Sequence, residues 1–329
     1  DMVNHAKDNF NFIIITFDPN IKDNYSMTLM ENQIIIYLKV WSYSNYIKRF
    51  LSEILYSKKI INFFNDNRFI KIDFIISYSP SIFFGNSVRA LKKKFSCDSY
   101  LIQRDIFPEW AYKQGLIKSK FIYNFFKQIE DLNYKTANYI GVESYGSLKY
   151  LKKKGFNNVE LLNNWIKDSN HTTLKNKKDT YKYFIYSGNL GLAQDFLNLL
   201  KKIDFKELKK NKIKILICGA GKQKEQIIEH IEKFSLNTVK YLGELSRQDY
   251  LNTLAKCKAG IVSLSIKTFM SNYPFKFIDY IRNEIPVIAH INPNNELNEF
   301  IKNNKIGFCS NANNYDNFKY NLIHMSNAK

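Results

Sequence analysis

The sequence predicts an α/β protein made of two doubly wound units joined by a polar linker. Three observations carry this reading. Short apolar runs alternate with amphipathic stretches, the pattern of strands and helices in a parallel sheet. The alternation stops across 167–180 (KDSNHTTLKNKKDT), which is polar and almost free of large apolar residues, and then restarts. The chain has 329 residues, 45% of them hydrophobic and 16% aromatic, enough for two buried cores of ~150 residues each.

The first half reads as strands over 10–17 (FNFIIITF), 33–40, 74–78, 99–103, 139–142 and 159–162. Asp18 and Pro19 stop the first of these. Helical periodicity covers 44–65, a stretch opened by Pro80 and running through Phe95, then 121–135, and 146–154, which Gly155 ends. After the linker, strands are expected at 183–186, 213–218, 239–242, 259–264 and 286–290. Helices are expected at 193–201, 222–234, 247–255, 275–282 and 295–303, followed by a short, weak one near the end. The expected domains are 1–166 and 181–310, with 167–180 as linker and 311–329 as a C-terminal segment. Ligands of such units bind outside the carboxyl ends of the strands, and the cleft between two facing units is the expected site.

Lys and Arg number 49 against 30 Asp and Glu, a formal charge of +19. An anionic partner explains the Lys content. A/T-rich codon usage explains it together with the abundance of Asn, Ile, Tyr and Phe, and it fits basic residues scattered in short runs. A nucleic-acid-binding protein is the reading this charge suggests, but no recognised module is present, so no nucleic-acid partner is expected. No run of ~18 apolar residues offers a membrane span, and no secretory segment opens the chain. Cys97, Cys218, Cys257 and Cys309 show neither zinc spacing nor a CxxC pair, and the five histidines form no metal motif. Reduced, mostly buried thiols in a cytoplasmic protein are the expectation.

The strand ends carry the chemistry. Strand 183–186 runs into YSGNLG, where Gly188 and Gly191 allow a tight turn and the next helix points amides at the same spot. Glycines after a strand more often make ordinary turns. Strand 213–218 ends in Gly219, Ala220 and Gly221. Lys224 stands where a dinucleotide fingerprint needs its third glycine, so that site is disfavoured. Strand 239–242 ends in Gly243, Glu244, Leu245 and Ser246, with Ser246 as an N-cap. In 271–289, Pro274 fits the first turn of a helix, so Phe275 and Lys276 present free amides and Lys276 adds a charge. Asp279 lies one turn on. An anion and ribose hydroxyls suit this spacing, as does a plain capped helix. Strand 99–103 delivers Arg104, Asp105, Pro108, Glu109 and Trp110, a charged pair and an indole suited to a carbohydrate, or an ion pair that only anchors its loop.

Taken together, the second half resembles the donor-binding domain of GT-B glycosyltransferases of the family 4 type. The matching pieces are YSGNLGLAQ (186–194), ILICGAGKQKEQI (215–227), VKYLGELSRQDY (239–250) and PFKFIDYIRNEIPVIA (274–289). YSPSIFFG (78–85), LIQRDIFPEWAYKQGLI (101–117), YIGVESYGSLKYLKKKGF (139–156) and VELLNNW (159–165) extend the match into the first half. The pieces resemble the bacterial branch that builds O-antigen or capsule sugars, often as N-acetylaminosugar transferases. The resemblance implies a GT-B fold, two Rossmann-like domains facing a cleft. It implies a retaining transfer from a nucleotide sugar, a UDP-sugar above all, to a lipid-linked saccharide acceptor bound by the first domain.

The resemblance also implies site roles. Gly188 and Asn189 lie beside the diphosphate. Gly219 and Gly221, with Gly243, Leu245 and Ser246, cradle the base. Phe275 and Lys276 hold the diphosphate at the helix head. Asp279 aligns with the second carboxylate of E-x7-E, which binds ribose, and Asp105 with the acceptor-side acid. Arg104, Asp105 and Lys276 are the expected catalytic residues, with no metal and no cofactor. Three departures stand out. Ser271 occupies the place of the first carboxylate, Asn189 and Gln194 stand in the stretch of the usual basic pair, and Arg104 replaces the frequent His. The first clear strand looks like the family's second, so the chain is expected to lack its first ~20–40 residues. Basic and aromatic residues over 42–66 suggest peripheral contact with an anionic membrane, or a helix packed on the sheet. The missing carboxylate leaves one further alternative, a non-catalytic partner of another transferase.

Overall fold

The structure is a computed structural model that describes residues 6, 8–42, 46–79, 81–164, 180–234, 236–268 and 273–328. Most of the expected linker, Pro80 and Ser271 lie outside the described residues. Contact density divides the chain into two units. The first holds 1–108, 118–142 and 151–160, and the second holds 109–117, 143–150 and 161–329.

In the first unit, β1 (Phe12–Asp18), β2 (Tyr25–Met30) and β3 (Gln33–Lys39) form one sheet in the order β1-β3-β2. β1 runs parallel to β3, whereas β2 returns antiparallel through a turn in which Asn32 takes a φ of 57°. β2 is not among the strands read from the sequence. Most of it faces solvent, so its side chains are under weak pressure to be apolar. A second sheet pairs β4 (Phe74–Tyr78), β5 (Asp98–Gln103), β6 (Tyr139–Val142) and β7 (Val159–Leu161) in that order. The helix expected over 44–65 is two helices, Tyr46–Ile54 and Tyr56–Asp66, because Leu55 closes a tighter turn onto Ser52. The second of them sets Ile60, Phe63 and Phe64 into a core with Ile36 and Leu38. The helix expected from Pro80 starts at Gly85, which packs within side-chain contact of Asn133.

The second unit contains β8 (Lys182–Ser187), β9 (Ile213–Cys218), β10 (Val239–Gly243), β11 (Cys257–Ser263), β12 (Val287–Ile291) and β13 (Gly307–Asn311). All are parallel, in the order β10-β9-β8-β11-β12-β13. Order outward from β8 reverses direction at β8/β11, the doubly wound pattern, with helices burying apolar side chains on both faces. The weak terminal helix of the sequence reading is thirteen residues long, Tyr315–Asn327, and buries Phe318 and Leu322 completely.

Helix Phe275–Arg282 buries Phe277 and Tyr280 against this sheet, and Tyr280 also bonds to its backbone. Tyr280 is wholly buried; its hydroxyl accepts from the Ser187 amide at 3.1 Å and donates to the Ile185 carbonyl at 3.2 Å. The ring fits because residue 260 is glycine: a Cβ there would lie 2.2 Å from Tyr280 Cδ2. Gly260→Ala is therefore expected to destabilise the second unit by ~1–3 kcal/mol through overpacking, read as a lower denaturant midpoint.

Candidate functional site

Three strand-end turns stack in a row above β8, β9 and β10. The Gly188 amide donates to the Cys218 carbonyl at 2.9 Å, and the Gly219 amide to the Gly243 carbonyl at 2.9 Å. The Leu190 amide reaches the Ala220 carbonyl at 2.7 Å. A Cβ on Gly219, whose φ is 132°, would lie 2.0 Å from the Gly188 oxygen. One on Gly221, with φ 150°, would lie 2.5 Å from the Leu190 oxygen. The glycines of GAG thus let one loop press on another.

The head of helix Phe275–Arg282 meets this row. Pro274 is its N-cap residue and its carbonyl accepts the Phe277 amide at 2.8 Å. Among the described residues the amides of Phe275 and Lys276 donate to no group. Lys276 reaches back over the Gly188 turn: its Nζ lies 3.8 Å from the position of a Cβ on Gly188 and 3.6 Å from the Tyr186 ring centroid. That ring is held by stacking on Phe196 and by its hydroxyl, which donates to the Asn189 carbonyl at 2.7 Å. The Nζ is buried and has no hydrogen-bond partner among the described residues. Burial lowers its pKa from 10.5 to about 7, opposed only weakly by the nearby Cys218 thiol. The ring face attracts a cation but supplies no counter-charge, so the amine is matched to an anion.

The other expected donor residues divide. Asp279 takes a bidentate pair from Arg247, Nη1 to Oδ2 at 3.0 Å and Nη2 to Oδ1 at 2.7 Å. Arg247 was not singled out in the sequence; its only signal is its place just after the N-cap. Ser246 does cap helix Arg247–Leu254: its hydroxyl accepts the Asp249 amide at 3.1 Å and donates to Asp249 Oδ2 at 2.7 Å. Leu245 packs against the core beneath β8 and β11. The Asn189 amide donates to Gln194 Oε1 at 3.2 Å, so these two residues pair with each other. Asn164 is a second residue the sequence reading missed. Its amide donates to the Tyr273 carbonyl at 2.9 Å and to Glu143 Oε2 at 3.1 Å, steadying the chain just before Pro274.

Arg104 and Asp105 follow β5 in the first unit. The Arg104 amide donates to Ser79 Oγ at 2.9 Å, and its guanidinium lies 5.9 Å from the Tyr78 ring centroid. The Asp105 carbonyl accepts from Gln103 Nε2 at 2.6 Å and from the Phe107 amide at 3.1 Å. Asp105 keeps solvent access, yet crowding by protein atoms raises its carboxyl above the ordinary 3.8. No ion pair joins Arg104 to Asp105 among the described residues.

Comparison with known proteins bears on what this arrangement is. Residues 169–327 match the family model for Glycosyl transferases group 1. That span contains every expected donor-side residue. No curated protein matches the chain significantly. Among solved structures, a mutant of S. aureus TarM in complex with Fondaparinux, alpha-GlcNAc-glycerol and UDP is 17% identical with a TM-score of 0.56. The match covers 83% of this chain and 52% of TarM, so the chain spans about half the length of that protein. The lipopolysaccharide outer core galactosyltransferase WaaB is 15% identical with a TM-score of 0.57, over 88% of this chain and 74% of WaaB. A structure described as trehalose-6-phosphate from E. coli bound with UDP-2-fluoro glucose is 8% identical with a TM-score of 0.72, over 100% of this chain and 87% of that one. The fold is GT-B.

The Lys276 environment makes stability depend on pH. Folding lowers its pKa from 10.5 to about 7, so between those values the unfolded chain holds a proton that the folded one has shed. Unfolding in this window takes up a proton, which becomes less favourable as the pH rises, so stability rises across the window. Below about pH 7 both states are protonated and the folded one carries the full burial cost. Lys276→Met is expected to be more stable than the parent at about pH 6 and to lose that advantage toward pH 10.5, checked by denaturant midpoints across the range.

Proposed function

We propose that the chain is a retaining glycosyltransferase that moves a sugar, an N-acetylaminosugar in the first instance, from a UDP-linked donor to a lipid-linked precursor of a surface polysaccharide at the inner face of the membrane. The observation that carries this is the buried, unpartnered Nζ of Lys276, beside free helix-head amides and over the Gly188 turn. The match of residues 169–327 to group 1 glycosyl transferases supports it, as do similar structures crystallised with UDP.

In this reading the diphosphate sits at the helix head. The amides of Phe275 and Lys276 and the Lys276 ammonium take up the negative charge that grows on the leaving group as the glycosidic bond breaks. Asp279 holds the ribose, with Arg247 fixing the orientation of its carboxylate. The turns at Gly219, Gly221 and Gly243 through Ser246 border the base. Asp105, its carboxyl already raised, and Arg104 serve the acceptor hydroxyl.

Lys276→Ala is expected to lower turnover more than about tenfold with the fold intact. Turnover at the parental rate in that variant would remove the phosphate role. A thermal-shift screen of nucleotides should single out UDP and UDP-sugars. Because the bound diphosphate draws a proton onto Lys276, UDP affinity should fall as the pH rises above about 7 and binding there should take up a proton, both read by calorimetry in buffers of different ionisation enthalpy.

A further inference from the structure

The first unit carries an apolar surface that its core does not use. Helix Lys120–Thr136 begins with Phe121, Ile122 and Phe125 exposed, Phe121 by 81%. Helix Tyr46–Ile54 likewise exposes Leu51 and Ile54. The two elements meet: Phe50 packs edge-on to Phe126 at 5.4 Å, and Ile54 and Phe125 line one shallow dent of about 150 Å³ with Ile82 and Phe83. The next helix, Tyr56–Asp66, turns Ile60, Phe63 and Phe64 inward. The basic and aromatic stretch 42–66 is therefore only partly a free face. Among the described residues its exposed apolar part is Leu51 and Ile54, and the larger part of the patch comes from 121–125.

The rim of the patch is cationic. Lys118 and Lys120 are exposed beside Phe121, Lys48 is exposed three residues before Leu51 on its helix, and Lys58 is exposed on the next helix. No acidic residue occurs from 118 to 129. Glu53, the one acid between 46 and 65, accepts from Ser81 Oγ at 3.1 Å. Pairing two copies through this face would bring lysines together, which disfavours self-association. A layer of anionic headgroups over an apolar interior complements both the rim and the centre.

We propose that this patch docks the chain on a bilayer containing anionic lipid, with Phe121, Ile122, Phe125, Leu51 and Ile54 entering the interface and the lysines meeting headgroup phosphates. It rests on the reading above only in giving a lipid-linked acceptor a surface to be met on. The test is flotation of the full chain with phosphatidylglycerol-containing vesicles and with pure phosphatidylcholine vesicles. Binding is expected to the first, to weaken with salt, and to be absent for the second. Phe121→Ser/Phe125→Ser and Lys118→Glu/Lys120→Glu should each lose more than about tenfold in vesicle affinity. Both should keep the parental thermal shift with UDP. A missing UDP shift in the parent would count against the donor reading and leave the flotation result standing. Parental vesicle binding by either folded variant would overturn the proposal. So would a concentration-dependent dimer, seen by light scattering and lost in the Phe variant. Should a variant not fold, hydrogen exchange of the parent decides: added vesicles should protect 118–126, and unchanged exchange there refutes docking.

Discussion

The donor side of this molecule hangs on one phenol. Tyr280 enters the sheet between β8 and β11, where its hydroxyl bonds to both the amide of Ser187 and the carbonyl of Ile185. Those residues are the last part of β8 before the turn at Gly188. Lys276 sits one helical turn before Tyr280, on the same face. Anchoring the ring therefore fixes the distance between the helix head and the turn, and it does so by packing rather than by charge. The burial cost of the Lys276 amine is borne by this arrangement, since no described group pairs with it.

Backbone contacts between turns complete the frame. Gly219 and Gly221 approach the Gly188 and Leu190 oxygens more closely than any side chain permits. From sequence, a glycine after a strand speaks more often for a turn than for a ligand. Here the close neighbour of both GAG glycines is another strand-end loop, and the row so formed borders the helix head.

Five strands of the second unit's sheet were legible as short apolar runs, because helices cover both faces of that sheet; its edge strand β13, GFCSN, ends in polar Ser310 and exposed Asn311 and was not read. Strand Ile213–Cys218 and helix Phe275–Arg282 have the boundaries that their residues announce. β2 was hidden by exposure, and helix Tyr315–Asn327 read as short and weak because of the polar residues between its buried Phe318 and Leu322. At the site, Gly188 and Lys276 could be read because each is a local feature of a strand end or a helix start. Arg247 and Asn164 could not. Arg247 gains its meaning from Asp279, 32 residues away, and Asn164 from Tyr273, 109 residues away. Periodicity and spacing carry no information about such pairs.

The depressed pKa of Lys276 has a consequence for reactivity. An amine that sheds its proton near neutrality is a nucleophile. The chain's 49 Lys and Arg side chains give it a strongly cationic surface, yet most of these cations are inert toward carbonyl reagents at neutral pH. A small uncharged aldehyde able to reach it would find in Lys276 an imine-forming amine, making this residue a handle for site-selective covalent labelling.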